Sequence, residues 1–145
     1  MTPWSETNLA DAGLLRSALE GLPDALVIAD TTGVIRLWNA AAERLFGFTR
    51  EECIGQSLNL MIPERFRAAH DAGFARAVAS GTVRAGTRVL RTRSNHKEEG
   101  RRLYVDFTFA VLKAPDGQVV GVQALARDAT ETHLRQQAAS QAKTA

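Results

Sequence analysis

A single cysteine, Cys53, stands in the whole chain, accompanied by only one tyrosine and four prolines. One thiol cannot close an internal disulfide, and it cannot build a multi-cysteine zinc site or an iron–sulfur cluster within one chain. Such usage fits a reducing compartment. No run approaches ~18 consecutive apolar residues, so no membrane span is expected. The opening "MTPWSETNLADAG" has no basic segment leading into an apolar one, which argues against a secretory signal and for a cytoplasmic location. An excess of one charge is also missing, with 18 Lys and Arg against 16 Asp and Glu, a net of +2. Basic residues gather in "RAGTRVLRTRSNHK", but they alternate with apolar ones as on the outer face of a strand, and no nucleic-acid partner is expected. Catalytic signatures are absent too. There is no G-x-S-x-G, no P-loop and no G-x-G-x-x-G opening a helix, and nothing gathers Ser, His and Asp into a triad. No turnover is expected.

What is present is ordinary for one globular domain: 145 residues, 45% of them hydrophobic and 23% charged, enough for a real core and too few for two domains. Leu9, Leu14, Leu15, Ala18 and Leu19 repeat at helical spacing over 9–21, and Gly21 with Pro23 stops that segment. "ALVIAD-TTG-VIRLWN" reads as a hairpin. Asn39 is placed to cap a helix "AAAERLFG" that Gly47 ends. "TREEC" carries a weak capping-box signal, "SLNLM" suggests one further turn, and Pro63 suits the first position of a long helix closed by Gly81. Strands are predicted over 82–94, 101–112 and 118–128. In the second, Leu103, Val105, Phe107, Phe109 and Val111 share one face, and Tyr104, Asp106 and Thr108 the other. This order implies an α+β fold: a five-stranded antiparallel sheet with its helices packed on one face. The predicted division is a flanking helix (1–21), the domain proper (22–128) and a C-terminal linker helix or tail (129–145).

The segment "PERFRAAHDAGFARAVASG" poses the functional question. Phe66, His70 and Phe74 fall at i, i+4 and i+8, beside Gly73 and Ala77, which puts an imidazole in the middle of an apolar stripe expected to face inward. A histidine there is either a packed core residue bonded to a carbonyl or a ligand to something in the core. His96, in a charged loop, and His133, on the polar tail, are expected to be solvated. Cys53 is expected to be a small buried hydrophobe.

Residues 14–132 resemble a PAS domain, through "DALVIADTTGVIRLWNAAAERLFGFTREECIGQSL", "PDGQVVGV" and the terminal "RDATE". PAS domains share a fold and not a chemistry. Within that resemblance, "MIPERFRAAHDAGFAR" is similar to the long helix of the heme-binding PAS domains of oxygen-sensor histidine kinases. The likeness implies heme b, with His70 as the proximal iron ligand and Arg76 paired with a propionate. Arg88 of "GTR" would match the distal arginine used at a gas or propionate. Phe66 and Phe74 would flank the ligand, Gly73 would leave room for a flat macrocycle, and Val105, Phe107 and Phe109 would form the distal wall. Phe107 and Phe109 stand where those sensors carry smaller aliphatics, and the stretch before "GTR" is shorter. Flavin is not expected, because the Asn-Cys-Arg-Phe-Leu-Gln run of the photoadduct sensors is replaced by "EECIGQ". Leu14, Leu15, Ala18 and Leu19 exceed what one edge of a small sheet needs to cover, so a homodimer through the N-terminal helix is expected, with signalling by dimer contacts or a downstream partner. The alternative is a domain that binds a small organic ligand without heme, or that serves only as an interaction module.

Overall fold

The computed structural model describes residues 11–144; the start of the predicted N-terminal helix, at Leu9, lies outside them. Helix α1 (Ala12–Glu20) is capped by the Asp11 side chain, which accepts from Leu14 N. Strands β1 (Ala25–Asp30) and β2 (Ile35–Trp38) follow as the expected hairpin. Helix α2 (Ala40–Phe46) starts at Asn39 and ends at Gly47, whose φ of 80° places it in the left-handed region that glycine tolerates. Helix α3 (Arg50–Cys53) carries a complete capping box between Thr49 and Glu52. After two 3-10 turns comes helix α4 (Arg67–Ser80), closed by Gly81. Strands β3 (Leu90–Ser94), β4 (Leu103–Lys113) and β5 (Val119–Asp128) complete the sheet, and helix α5 (Thr130–Thr144) leaves it.

All five strands pair antiparallel in the order β2-β1-β5-β4-β3, so the sheet is the predicted one. Its inner face holds the core, where Ile35, Trp38, Phe46, Cys53, Leu103 and Val105 are fully buried. A row of rings crosses this face. Trp38 and Phe46 centroids are 5.2 Å apart, Phe46 and Phe107 6.4 Å, and Phe107 and Phe109 5.4 Å, spacings at which aromatic contacts add to area burial. The alternation in β4 falls as expected, with Leu103, Val105 and Phe107 buried inside and Tyr104, Asp106 and Thr108 on the other side.

Three local expectations need correction. Pro63 does not open the long helix; a 3-10 turn over Glu64–Phe66 intervenes, and α4 begins after Phe66, whose ψ is only −5°. The predicted strand 82–94 is a strand only from Leu90, because Val83 to Arg88 wind into turns through Gly86 N→Val83 O and Arg88 N→Ala85 O, with Gly86 at φ 61°. Nor are His96 and His133 simply solvated. The His96 ring lies so close over Gly47 that a Cβ there would meet it at 2.6 Å, and desolvation, then Arg101, lowers its pKa. His133 stacks on Tyr104 with centroids 3.8 Å apart.

That stack belongs to a polar clasp holding α5 on the outer face. Arg91 grips Asp106 through Nε at 2.8 Å and Nη2 at 3.1 Å, and its Nη1 donates to Gln136 Oε1 at 2.6 Å. Tyr104 N donates to Thr130 Oγ1, and Tyr104 O accepts from Ala129 N.

The β1–β2 turn is organised by Asp30. Its Oδ1 accepts from the Thr32 hydroxyl at 2.7 Å, Thr32 N at 2.9 Å and Val34 N at 3.1 Å, while Oδ2 takes Arg36 Nε at 2.9 Å. The Thr32 hydroxyl above all, with Val34 N and Arg36, holds this carboxyl far below the ordinary aspartate value of 3.8. A depressed folded-state pKa contributes stability that is present above the unfolded value and is lost as the pH falls through the folded one. Asp30→Asn is therefore expected to flatten the acid limb of a stability profile below the ordinary value of 3.8. Unfolding titrations across that range check this, and an unchanged acid limb would refute it.

Candidate cofactor site

Helix α4 approaches the sheet chiefly at β5, and its C-terminus sits against Lys113 and Val119, the atoms an added Cβ on Gly81 would meet. Its half-buried residues are Arg67, whose Nε donates to Ile62 O, and then His70, Gly73, Phe74, Ala77 and Val78, one stripe at helical spacing. None is fully buried, and Phe66 at the upper end is 39% exposed. The inward-facing expectation thus holds in direction and fails in depth. Leu90 pairs with Phe107 and Thr92 with Val105, so both lie on the inner face, yet Leu90 is 42% exposed and Thr92 is also exposed. This part of the sheet's inner face is left uncovered on β3, with Phe109 half-buried on β4.

His70 lies within the half-buried stripe of α4, the side of the helix that forms the candidate cleft. Its side chain is 30% exposed, but Nδ1 is closed off from solvent and has no hydrogen-bond partner, the nearest carboxylate oxygen being Asp71 Oδ1 at 3.6 Å. The Phe74 ring stands 6.1 Å away, tilted by 31°. A Cβ built on Gly73 would meet nothing nearer than Arg76 Nη2 at 3.8 Å, so this glycine leaves open space one turn from the imidazole. These residues fit a flat ligand held by an imidazole. A buried ring nitrogen without a partner costs free energy that a bound group or an ordered water would recover.

The remaining candidates divide. Phe107 is buried and stacked on Phe109, which borders the cleft, whereas Val105 is wholly enclosed in the core and lies behind them. Arg76 is exposed and has no ion-pair partner among the described residues. Arg88 is exposed in the turn before β3, and its Nε donates to Ala85 O at 3.1 Å. Cys53 sits in the core, its thiol pushed up to about 12 by desolvation and then by Glu52 and Glu43. A separate concavity of about 840 Å³ lies at the β3–β4 loop, lined by Phe48, Leu60, Pro63, Arg65, Arg93 and His96 among others. It contains none of the residues predicted from the sequence and is far more charged than a macrocycle slot.

An antiparallel five-stranded sheet with short helices packed over its inner face is the architecture of a small sensor domain. The chain belongs to the PAS fold family, whose family model matches residues 19–134. It is 47% identical over 62 residues to the sensor protein FixL of Bradyrhizobium diazoefficiens, covering 43% of this chain and 12% of that protein. To the oxygen sensor protein DosP of Escherichia coli it is 31% identical over 123 residues, covering 85% of this chain and 15% of that protein. The chain thus spans less than a sixth of either relative. Among solved structures, the PAS domain of a protein from Colwellia psychrerythraea superposes with a TM-score of 0.70 at 26% identity, over 83% of this chain and 99% of that one. Among the described residues no helix is long and apolar enough to cross a membrane.

Proposed function

We propose that this domain binds heme b through His70 and senses a diatomic gas or a redox state. The observation that carries this reading is the His70 imidazole, one nitrogen buried without a partner, set beside the open space at Gly73. The likeness to an oxygen sensor protein over 85% of the chain supports it. When bound, heme iron supplies the gas-binding centre. The chain's own residues hold and shield it. His70 gives one ring nitrogen to the iron, and the other donates to a carbonyl or water that fixes the tautomer. Phe66 and Phe74 cover the helix side, and Phe107 and Phe109 keep water from the opposite side. Arg88, the proposed distal arginine, would have to release Ala85 O to reach a bound ligand. Signalling runs through partner contacts or a homodimer, for which α1 offers Leu15 and Leu19, 46% and 37% exposed.

The stacked Phe107–Phe109 pair favours one rival, a smaller flat organic ligand in the same cleft without iron. Hemin titration separates the two: one equivalent giving a sharp Soret band is expected, and a broad, non-saturating spectrum would overturn the heme reading. Arg76, which has no ion-pair partner among the described residues, is assigned to a propionate. Because it is exposed, Arg76→Ala is expected to speed hemin loss to an acceptor protein only about three- to tenfold, with the Soret maximum unmoved. Equal loss rates would remove Arg76 from the site.

A further inference from the structure

The two edges of the sheet are not alike. β2 is covered by the segment that follows α3: Ile35 N donates to Gln56 O at 2.8 Å, Gly55 N to Ile35 O at 2.9 Å, and Val34 bridges Ser57. Among the described residues β3 has no such cover except at its end, where Asn95 N donates to Met61 O. Tyr104 spends its N–H and C=O on Thr130 and Ala129, on the β5 side of β4. The opposed pair Arg93–Tyr104 is therefore a non-hydrogen-bonded pair, and the ladder runs through Leu90, Thr92 and Ser94. Arg91 and Arg93 turn their N–H and C=O groups outward, and the Arg93 carbonyl is met only by the Thr92 hydroxyl at 3.4 Å. Val89, just before the strand, is 59% exposed, and Leu90 is 42% exposed.

Charge collects along the same edge. Between residues 84 and 102 stand Arg84, Arg88, Arg91, Arg93, Lys97, Arg101 and Arg102 against Glu98 and Glu99, an excess of five in a chain whose net charge is +2. Arg84, Arg93 and Arg102 have no carboxylate partner among the described residues. Arg93 rests over the Tyr104 ring, 5.9 Å from its centroid.

We propose that the open edge of β3, Val89–Arg93, docks an extended acidic segment of a partner protein by strand addition. Backbone groups of Arg91 and Arg93 supply the ladder, acidic side chains beside them meet the arginines, and apolar ones lie against Val89 and Leu90. A second copy of β3 is a poor occupant, because antiparallel self-pairing about Thr92 sets Arg91 opposite Arg93. A nucleic acid finds charge there but no free ring to stack on, since Tyr104 is covered by His133. The backbone groups and arginines of this edge belong to no part of the cleft, which it adjoins at Leu90.

The test uses the full chain, isotope-labelled, titrated with a short synthetic peptide of alternating glutamate and valine. Saturable amide shifts over residues 89–94 are expected, with exchange of the Arg91 and Arg93 amides slowed at least about tenfold. A lysine–valine peptide should not bind. Arg93→Gln keeps the outward N–H and should weaken binding modestly, whereas Arg93→Pro removes that donor at a position an edge strand tolerates and should abolish it. Should Arg93→Pro fail to fold, a glutamate–valine peptide N-methylated at alternate amides makes the same test from the partner's side and should not bind. No shift at this edge, equal binding of Arg93→Gln and Arg93→Pro, undiminished binding of the methylated peptide, or the same shifts with oligothymidylate would each overturn the proposal.

Discussion

His70→Ala is expected to lose stoichiometric heme, its Soret band collapsing to that of loosely adsorbed hemin. The imidazole is the one side chain on the cleft face of α4 able to ligate iron, since its neighbours there are Gly73, Phe74, Ala77 and Val78. Removing it leaves hemin with dispersion contacts and the surface arginines, and an exposed ion pair contributes at most about 1 kcal/mol. A roughly hundredfold or greater weakening follows, equivalent to about 2.7 kcal/mol. Added imidazole should restore the band, because the space opened by the alanine has the shape of the missing ring. A variant that keeps the wild-type spectrum without imidazole would show that iron is held elsewhere. If wild type and variant are equally colourless after reconstitution, His70 is a packed histidine and the cleft takes an organic ligand.

The largest effect on stability is expected at Asn39. Its side chain is fully buried and uses its whole hydrogen-bonding capacity. Oδ1 accepts from Leu26 N and Ala42 N, both at 2.9 Å, and Nδ2 donates to Leu19 O at 3.2 Å and Asp24 O at 3.1 Å. One amide thus ties the end of α1 to the start of β1 and caps α2. Asn39→Ala strands buried backbone groups at each of these places, at a cost of about 3–5 kcal/mol, against a total stability of about 5–15 kcal/mol for a typical domain. Thermal unfolding should drop by roughly 10 °C or more. Asn39→Asp keeps the acceptor and loses the donors, so it should fall between and should free the end of α1. A loss under about 1 kcal/mol for the alanine variant would mean that water replaces these bonds.

Local chemistry made most of this fold legible. Asn39, Gly47, the Thr49–Glu52 box and Gly81 mark helix ends because each answers a need of its own few residues. The same locality explains the misses. "VRAGTRVLR" alternates like a strand, but Gly86 lets the chain turn, and only the shortness of β3 reveals which tendency won. Periodicity placed His70 on a stripe facing the sheet; it could not show that every residue of that stripe is only half-buried. Asn39 read as a cap, while its bonds to Leu19 and Leu26 depend on elements brought together by the fold. The stacking of His133 on Tyr104 likewise joins residues that no pattern connects.

The pairing of β1 with β5 has a consequence for how the molecule comes to exist. Asp24 and Arg127, which meet at 2.7 Å, lie 103 residues apart in sequence. The centre of the sheet is therefore assembled from the two ends of the domain, and the middle of the chain hangs from it. A nascent chain on the ribosome cannot close this sheet until residues near 128 have emerged. Until then β1 and β4 each lack the neighbour between them, and both present hydrogen-bonding edges to other chains. Closing so long a loop before its contacts form makes the final step slow relative to hairpin formation. Truncations that stop short of β5 should aggregate during synthesis rather than yield a smaller domain.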